Sequence, residues 1–277
     1  MNFNRLYNAD FFEIFPLIPD GCVDMVLCDP PYGMTTAFWD KDLQWDSIWP
    51  QYWRILKPNG VVVLFAQMPF AAKLVCSQIK YFRYEWIWEK NLGVGFLNAY
   101  KMPIRCHEHL LVFYKKFPTY NLIKLDNQKK EPYYRSSSTF GTEIYANHKG
   151  ERTITMNERK SIDGSRFPRD VIKFPTVNTE KGKERGQRRT LHPTQKPTSL
   201  LRHIIQVYTN KNEVVLDNCM GSGSTCVAAV ETERQFIGIE REKKYYDIAC
   251  QRVKQAREII LEPRIIPQKD DYQLTLF

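Results

Sequence analysis

Val23-Asp24-Met25-Val26-Leu27-Cys28 runs directly into Asp29-Pro30-Pro31-Tyr32. The first six residues read as a buried β-strand. A strand that stops at a carboxylate, two prolines and an aromatic presents chemistry at its C-terminal end, where open α/β sheets bind ligands. Proline lacks an N–H donor and holds φ, so the pair neither continues a ladder nor opens an ordinary helical turn. The result is a stiff corner whose carbonyls are free to accept hydrogen bonds. Asp29 adds a second acceptor and Tyr32 a flat face. Such a set suits an exocyclic amino group on a flat heterocycle. Taken alone, the tetrapeptide reads equally well as a Pro-Pro turn; a second motif far along the chain decides between the two.

Outward from this strand, apolar patterning alternates between strand and helix. Arg5 to Asp10 reads as a short strand ending in an acid, and Phe11 to Leu17 as a helix stopped by Pro16 to Gly21. Gly33 to Asp46 is a loop rich in Thr and aromatics. Ser47 to Leu56 carries Ile48, Tyr52, Ile55 and Leu56 at helical spacing. Lys57-Pro58-Asn59-Gly60 is turn chemistry, and Val61 to Ala66 is the continuous apolar run of a strand covered on both faces. Phe70 to Lys80 reads as helix, and Tyr84 to Glu89 and Leu110 to Tyr114 as strands. Beyond Lys115 the periodicity fades until Leu191. It returns with a helix over Thr198 to Thr209, capped by Thr198 or Ser199, whose Leu200, Leu201, Ile204, Ile205 and Tyr208 share a face. The strands Glu213 to Asp217 and Phe236 to Glu240 and a helix from Tyr245 to Leu261 complete the pattern. Strand and helix in alternation predict a doubly wound, mostly parallel α/β sheet of seven strands, Rossmann-like, with an inserted region. The expected divisions are 1–114, the insert 115–190, 191–262 and a tail 263–277.

The chain has 277 residues, a formal charge of +9 and a pI of about 9.1, which points to a polyanionic partner. Lys115 to Lys196 holds 19 Lys and Arg against 9 Asp and Glu, a surplus of ten, so the rest of the chain is close to neutral. Seven cysteines without a C-x-x-C pair fit a reduced, cytoplasmic chain and give no zinc signature. No apolar run approaches membrane-spanning length.

The second motif is Asp217-Asn218-Cys219-Met220-Gly221-Ser222-Gly223-Ser224-Thr225, a strand leading through a glycine loop into a helix. Roughly twenty residues on, Glu240 closes the next strand. This is the layout of a nucleotide-type site: glycines let the backbone approach the ligand, and the acid can take two ribose hydroxyls. No Gly-Lys-Ser/Thr is present, which argues against a nucleoside triphosphate.

Taken together and in this order, Asp29-Pro30-Pro31-Tyr32, the basic stretch, His192-Pro193-Thr194-Gln195-Lys196-Pro197 and Asp217 to Thr225 resemble the S-adenosylmethionine-dependent DNA amino-methyltransferases. The resemblance is to the circularly permuted β group and covers about residues 4 to 255. Cys219 departs from it, standing where the family usually has an aromatic, and Asn218 and Ser224 are also off the common pattern. The resemblance implies S-adenosylmethionine as cofactor. Asp217, Gly221, Ser222 and Gly223 would cradle its amino-acid part, and Glu240 its ribose. Asp10 would reach its adenine, and Thr194 and Lys196 would bound its carboxylate, with Asp29 at the shared wall. Asp29, Pro30, Pro31 and Tyr32 would be catalytic.

In that reading Asp29 and the Pro30 carbonyl accept the two hydrogens of the target amine, and the base is flipped out of duplex DNA against Tyr32. Phe38 and Trp39 either close over the base or pack in the core. Aspartate before Pro-Pro-Tyr favours adenine N6 over cytosine N4, by resemblance. Sequence recognition is expected within Lys115 to Arg189, with Arg185, Arg188 and Arg189 as candidates for DNA contacts. Gln273-Leu274-Thr275-Leu276-Phe277 resembles the bacterial sliding-clamp-binding peptide, an apolar plug on a charged tether, with Gln273, Leu274, Leu276 and Phe277 as its contacts. Homodimers occur in the group.

Overall fold

The computed structural model describes residues 3–33, 43–124, 167–177 and 195–261. The chain divides into two units, Met1–Asn121 with Asp170–Phe277, and Leu122–Arg169. Every described strand and helix belongs to the first unit. Its strands are β1 (Arg5–Asn8), β2 (Val23–Cys28), β3 (Leu56–Ala66), β4 (Phe82–Val94), β5 (Arg105–Phe113), β6 (Val171–Lys173), β7 (Val214–Asp217) and β8 (Gln235–Glu240). Its helices are α1 (Phe11–Ile14), α2 (Trp45–Ile55), α3 (Phe70–Ser77), α4 (Thr198–Tyr208), α5 (Ser224–Glu231) and α6 (Lys243–Leu261).

The described strands form one sheet of eight, in the order β1-β8-β7-β2-β3-β5-β4-β6. The expected seven strands are therefore one too few. The additional edge strand is β6, three residues from the stretch read as pattern-free, paired in parallel with β4. A three-residue strand carries too little alternation to be seen in sequence. All pairings are parallel except those of β5, which runs against both β3 and β4.

Strand alternation places the core. Val26 and Cys28 of β2 and Val62, Leu64 and Ala66 of β3 share one buried cluster with Ile48, Trp49, Tyr52 and Ile55 of α2. Met25, Leu27, Val63 and Phe65 point to the other face and are equally buried. That double burial explains why these strands read as unbroken apolar runs. Each such side chain contributes about 1.5–3 kcal/mol on burial. α4 packs against β2, and α6 against β1 and β8. The predicted apolar face of α4 is buried throughout, but Pro197 occupies its N-cap and neither Thr198 nor Ser199 caps it. No described helix is long and apolar enough to cross a membrane.

Candidate active site

Parallel strands deliver their C-terminal ends to one rim. β2 and β7 are neighbours, with Met25 opposite Val215 and Val26 opposite Leu216, so Asp29 and Asp217 leave the sheet side by side. β8 lies next to β7, and β1 next to β8 with Asn8 opposite Glu240. Asp10, Glu240, Asp217 and Asp29 thus come from four adjacent strand ends, and all line one cavity of about 650 Å³. Pro30, Pro31, Tyr32, Lys196, Gly221 and Ser222 line it too. Residues far apart in sequence meet because the sheet makes them neighbours. Thr194, Arg185, Arg188, Arg189, Phe38, Trp39, Gln273, Leu274, Leu276 and Phe277 lie outside the described residues.

The corner after β2 is held by side chains. Tyr32 donates its hydroxyl to Asp29 Oδ1 at 2.8 Å, and Lys196 Nζ donates to Asp29 Oδ2 at 2.6 Å. The Tyr32 ring stacks on Phe70, with centroids 5.0 Å apart. Asp29 nevertheless keeps 19% of its side-chain surface open. A carboxylate has about four lone-pair sites, so two partners leave room for another donor. Behind Lys196 stands Glu108, which sequence reasoning missed. Its Oε2 faces Lys196 Nζ at 3.3 Å, an ion-pair contact without hydrogen-bond alignment, and its Oε1 is bound by Lys90 and by Gln67 Nε2 at 3.2 Å. Lys90, Glu108, Lys196 and Asp29 form a buried chain of alternating charge.

Burial raises the Asp29 carboxyl; the Lys196 ammonium works against this and the Glu108 charge adds to it. Burial would raise Glu108 as well, but the two ammoniums outweigh it and hold that carboxyl low. Burial would lower Lys196, and the two carboxylates reverse the shift and keep it protonated. Burial and the Asp29 charge push the Tyr32 hydroxyl well up, so it remains a donor. Cys28, beside Asp29, is wholly buried, and burial drives its thiol far from ionisation.

The loop after β7 is held through its backbone. Gly221 and Gly223 adopt φ of 51° and 77°, the left-handed region that favours glycine. A Cβ on Gly223 would meet Ala249 Cβ at 2.8 Å. Glu240 accepts the Gly221 N–H at 2.9 Å and the Glu242 N–H at 2.8 Å. From α6, Arg252 donates to the Ser222 carbonyl at 2.6 Å and to both Ser222 Oγ and Ser224 Oγ at 3.0 Å. Asn218 Oδ1 accepts from the Tyr52 hydroxyl at 2.6 Å. Burial pushes Asp217 up to about 7, although it accepts the Cys219 N–H at 3.1 Å. Burial likewise raises Glu240, against the two N–H groups it receives. Asp10 caps α1 by accepting the Phe12 N–H at 2.9 Å on Oδ1, and it lines the cavity beyond the end of β1.

This donor set suits S-adenosylmethionine. Four acids, Asp10, Asp29, Asp217 and Glu240, stand at adjacent strand ends on one cavity wall. Of the glycine loop, Gly221 and Ser222 reach the cavity, whereas Gly223 is off its wall and packs on Ala249 of α6. Phe11, Cys219, Met220 and Tyr245 supply apolar wall to a cavity of ordinary ligand size.

Comparison with known proteins agrees. A family profile described as DNA methylase matches residues 23–251. The type II methyltransferase M.BglII of Bacillus subtilis is 29% identical over 90% of this chain and 68% of its own length. The DNA adenine methyltransferase YhdJ of Escherichia coli is 28% identical over 90% of this chain and 82% of its own. The crystal structure of an M1.HpyAVI–SAM complex superposes with a TM-score of 0.59 at 25% identity, covering 90% of this chain and 98% of that one. PvuII DNA methyltransferase, titled cytosine-N4-specific, shares the fold with a TM-score of 0.61 at 15% identity, over 94% and 92% of the two chains.

Proposed function

The chain belongs to the family of N6 and N4 DNA methylases, which depend on S-adenosylmethionine, and we propose that it methylates adenine N6 at specific sites in duplex DNA. The observation that carries the reading is the shared cavity, which the Asp29–Tyr32 corner and the loop after Asp217 enter from adjacent strand ends.

Asp217, Gly221 and Ser222 would hold the amino-acid part of the cofactor, Glu240 its ribose and Asp10 its adenine, with Gly223 shaping the loop against α6. When bound, the cofactor supplies an electrophilic methyl group on a sulfonium. The chain's own residues prepare the acceptor. An aromatic amine is a poor nucleophile because its lone pair is shared with the ring. Asp29 and the Pro30 carbonyl accept its two hydrogens, which returns electron density to nitrogen and favours a tetrahedral amine. Pro31 keeps that carbonyl aimed, since the corner cannot relax into a helix. Lys196 and Tyr32 fix the Asp29 carboxylate, so it needs no reorganisation when the amine arrives. Glu108, held by Lys90, keeps Lys196 in place and is a positioning residue. Pairing with Asp29 and Glu108 accounts for Lys196 without a cofactor carboxylate; Thr194 keeps that part of the reading. Arg185, Arg188 and Arg189 would contact DNA.

Aspartate at the head of the Pro-Pro-Tyr corner and the similarity to a relative named as an adenine methyltransferase favour adenine. The test is to expose unmethylated DNA to the protein and S-adenosylmethionine, digest to nucleosides and identify the product. N6-methyladenine is expected; N4-methylcytosine would reassign the substrate, and no modified base would remove the reading. The C-terminal pentapeptide is proposed to bind the sliding clamp. Removal of residues 273–277 should abolish co-purification with the clamp and leave methylation of short duplexes intact; a clamp still retained would end that proposal.

A further inference from the structure

The β4–β5 hairpin extends past the sheet. After the Glu89–His107 pair the next is Val94–Arg105, so four residues of β4 stand against Cys106 alone. This wide bulge re-aims the arm. Leu92, Gly93, Val94 and Arg105, at its stem, line the same cavity as Asp29, Pro30, Pro31 and Tyr32. The two strands press together there: a Cβ on Gly93 would come within 2.2 Å of Ile104.

The tip is shaped by its own backbone. Gly95, at φ 91°, turns the chain into a single 3-10 turn, Phe96–Asn98. The Asn98 carbonyl then accepts from Lys101 N at 2.8 Å and Met102 N at 3.0 Å. Held this way, the loop leaves its large apolar side chains bare. Phe96 is 78% exposed, Leu97 99%, and Tyr100 fully exposed, with Met102 also out in solvent. Contiguous apolar exposure of this kind marks a contact surface. Beyond the buried Lys90–Glu108 pair, the arm between Asn91 and Cys106 carries Lys101 and Arg105 and no acid. An apolar tip on a purely basic arm suits a polyanion that also offers an apolar interior.

We infer that Phe96, Leu97 and Tyr100 form a wedge that enters duplex DNA and fills the gap left by the base drawn into the cavity. The inference rests on the DNA-methylating reading above. A base inside a duplex must leave the stack to reach the Asp29 corner. Any duplex that delivers it lies against the arm whose stem is the cavity wall. Apolar side chains inserted between base steps offset the lost stacking, and basic residues beside them meet the phosphates. The apolar tip Phe96, Leu97 and Tyr100, with Lys101 and Arg105 on the same arm, supplies both.

The experiment compares two duplexes. The first is a short matched duplex carrying the sequence that the unaltered protein modifies in plasmid DNA; the second has an abasic nucleotide opposite the target base. The second needs no pairing broken. The double variant Leu97→Ala/Tyr100→Ala, and separately Phe96→Ala, are assayed for methyl transfer on both. Equal thermal midpoints and equal S-adenosylmethionine binding show that they are folded. On the matched duplex kcat/KM is expected to fall by about tenfold to a hundredfold, the size of one or two lost stacking contacts. On the abasic duplex it should stay near the unaltered value, and Tyr100→Phe alone should keep most of the activity on the first. An equal loss on both duplexes, or none on either, overturns the wedge while methylation itself stands. So does a dimer of the unaltered protein, seen by sedimentation, that the double variant dissolves, since the tip is then covered by a second copy. If the unaltered protein methylates no duplex at all, the DNA reading fails and takes the wedge with it.

Discussion

The turns that leave β2 and β7 start from neighbouring strands and are built in opposite ways. After β2 the chain has two prolines, no N–H between Asp29 and Tyr32, and a carboxylate clamped by Tyr32 and Lys196. After β7 it has two left-handed glycines, with backbone N–H groups taken by Asp217 and Glu240 and a carbonyl taken by Arg252. One turn is stiff because its dihedrals are restricted and presents acceptors. The other is permissive, so it is stiff only because three elements hold it, and it can bring backbone close to a ligand. A site that must draw on the hydrogens of an amine and also enclose a second molecule uses both kinds. The glycine loop needs its surroundings to be shaped; the proline corner needs them only to be oriented.

The largest effect is expected at the corner. Asp29→Ala should lower single-turnover methyl transfer by about a hundredfold or more, the usual cost of removing a preorganised electrostatic contact. Cofactor binding, read by calorimetry, should change far less; near-normal turnover would undo the assignment of the corner. At the loop the expected damage is to shape. Gly223→Ala meets both a left-handed φ and Ala249, so denaturant unfolding should show a loss of at least about 1–2 kcal/mol from the backbone alone. Cofactor affinity should fall with it. An unaffected loop would mean that α6 yields more easily than the packing suggests.

Smaller effects separate position from structure. Glu108→Gln should reduce kcat by about tenfold with KM little changed, within the range for a lost positioning contact. Burial raises Asp29 and the Glu108 charge adds to the shift, so removing that charge lowers the Asp29 carboxyl. The acidic limb of the kcat profile should therefore move to lower pH, which a purely structural defect would not do. The smallest effect is a slope. Folded Asp217 holds its proton up to about 7, against 3.8 for an ordinary carboxyl. Its contribution to stability is full below the lower value and is lost as pH rises through the upper one. Asn cannot titrate, so Asp217→Asn should gain thermal midpoint relative to the unaltered protein as pH rises across that window, measured without cofactor. A constant difference would place the proton elsewhere.

Much of this site was legible in one dimension. β2 and β3 announce themselves because both faces are buried and the run is apolar throughout; Pro-Pro after β2 and Gly-x-Gly after β7 mark those turns by dihedral chemistry that needs no neighbours. Acids at strand ends, Asp10, Asp29, Asp217 and Glu240, follow from the same local logic. Glu108 did not, for a definite reason. It lies near the start of β5, and acids at strand beginnings belong to the opposite rim when a sheet is parallel. β5 runs backwards, with His109 opposite Ala66 at the end of β3, so its beginning arrives at the active rim. Lys90 joins it because β4 runs against β5. Strand direction is a property of pairing, and pairing depends on residues distant in sequence. Which turns can bear chemistry is written in the order of residues, since backbone restriction and side-chain type are local. Which charges face one another is settled by the folded sheet, since a buried carboxylate is ionised or neutral according to neighbours the chain brings from elsewhere.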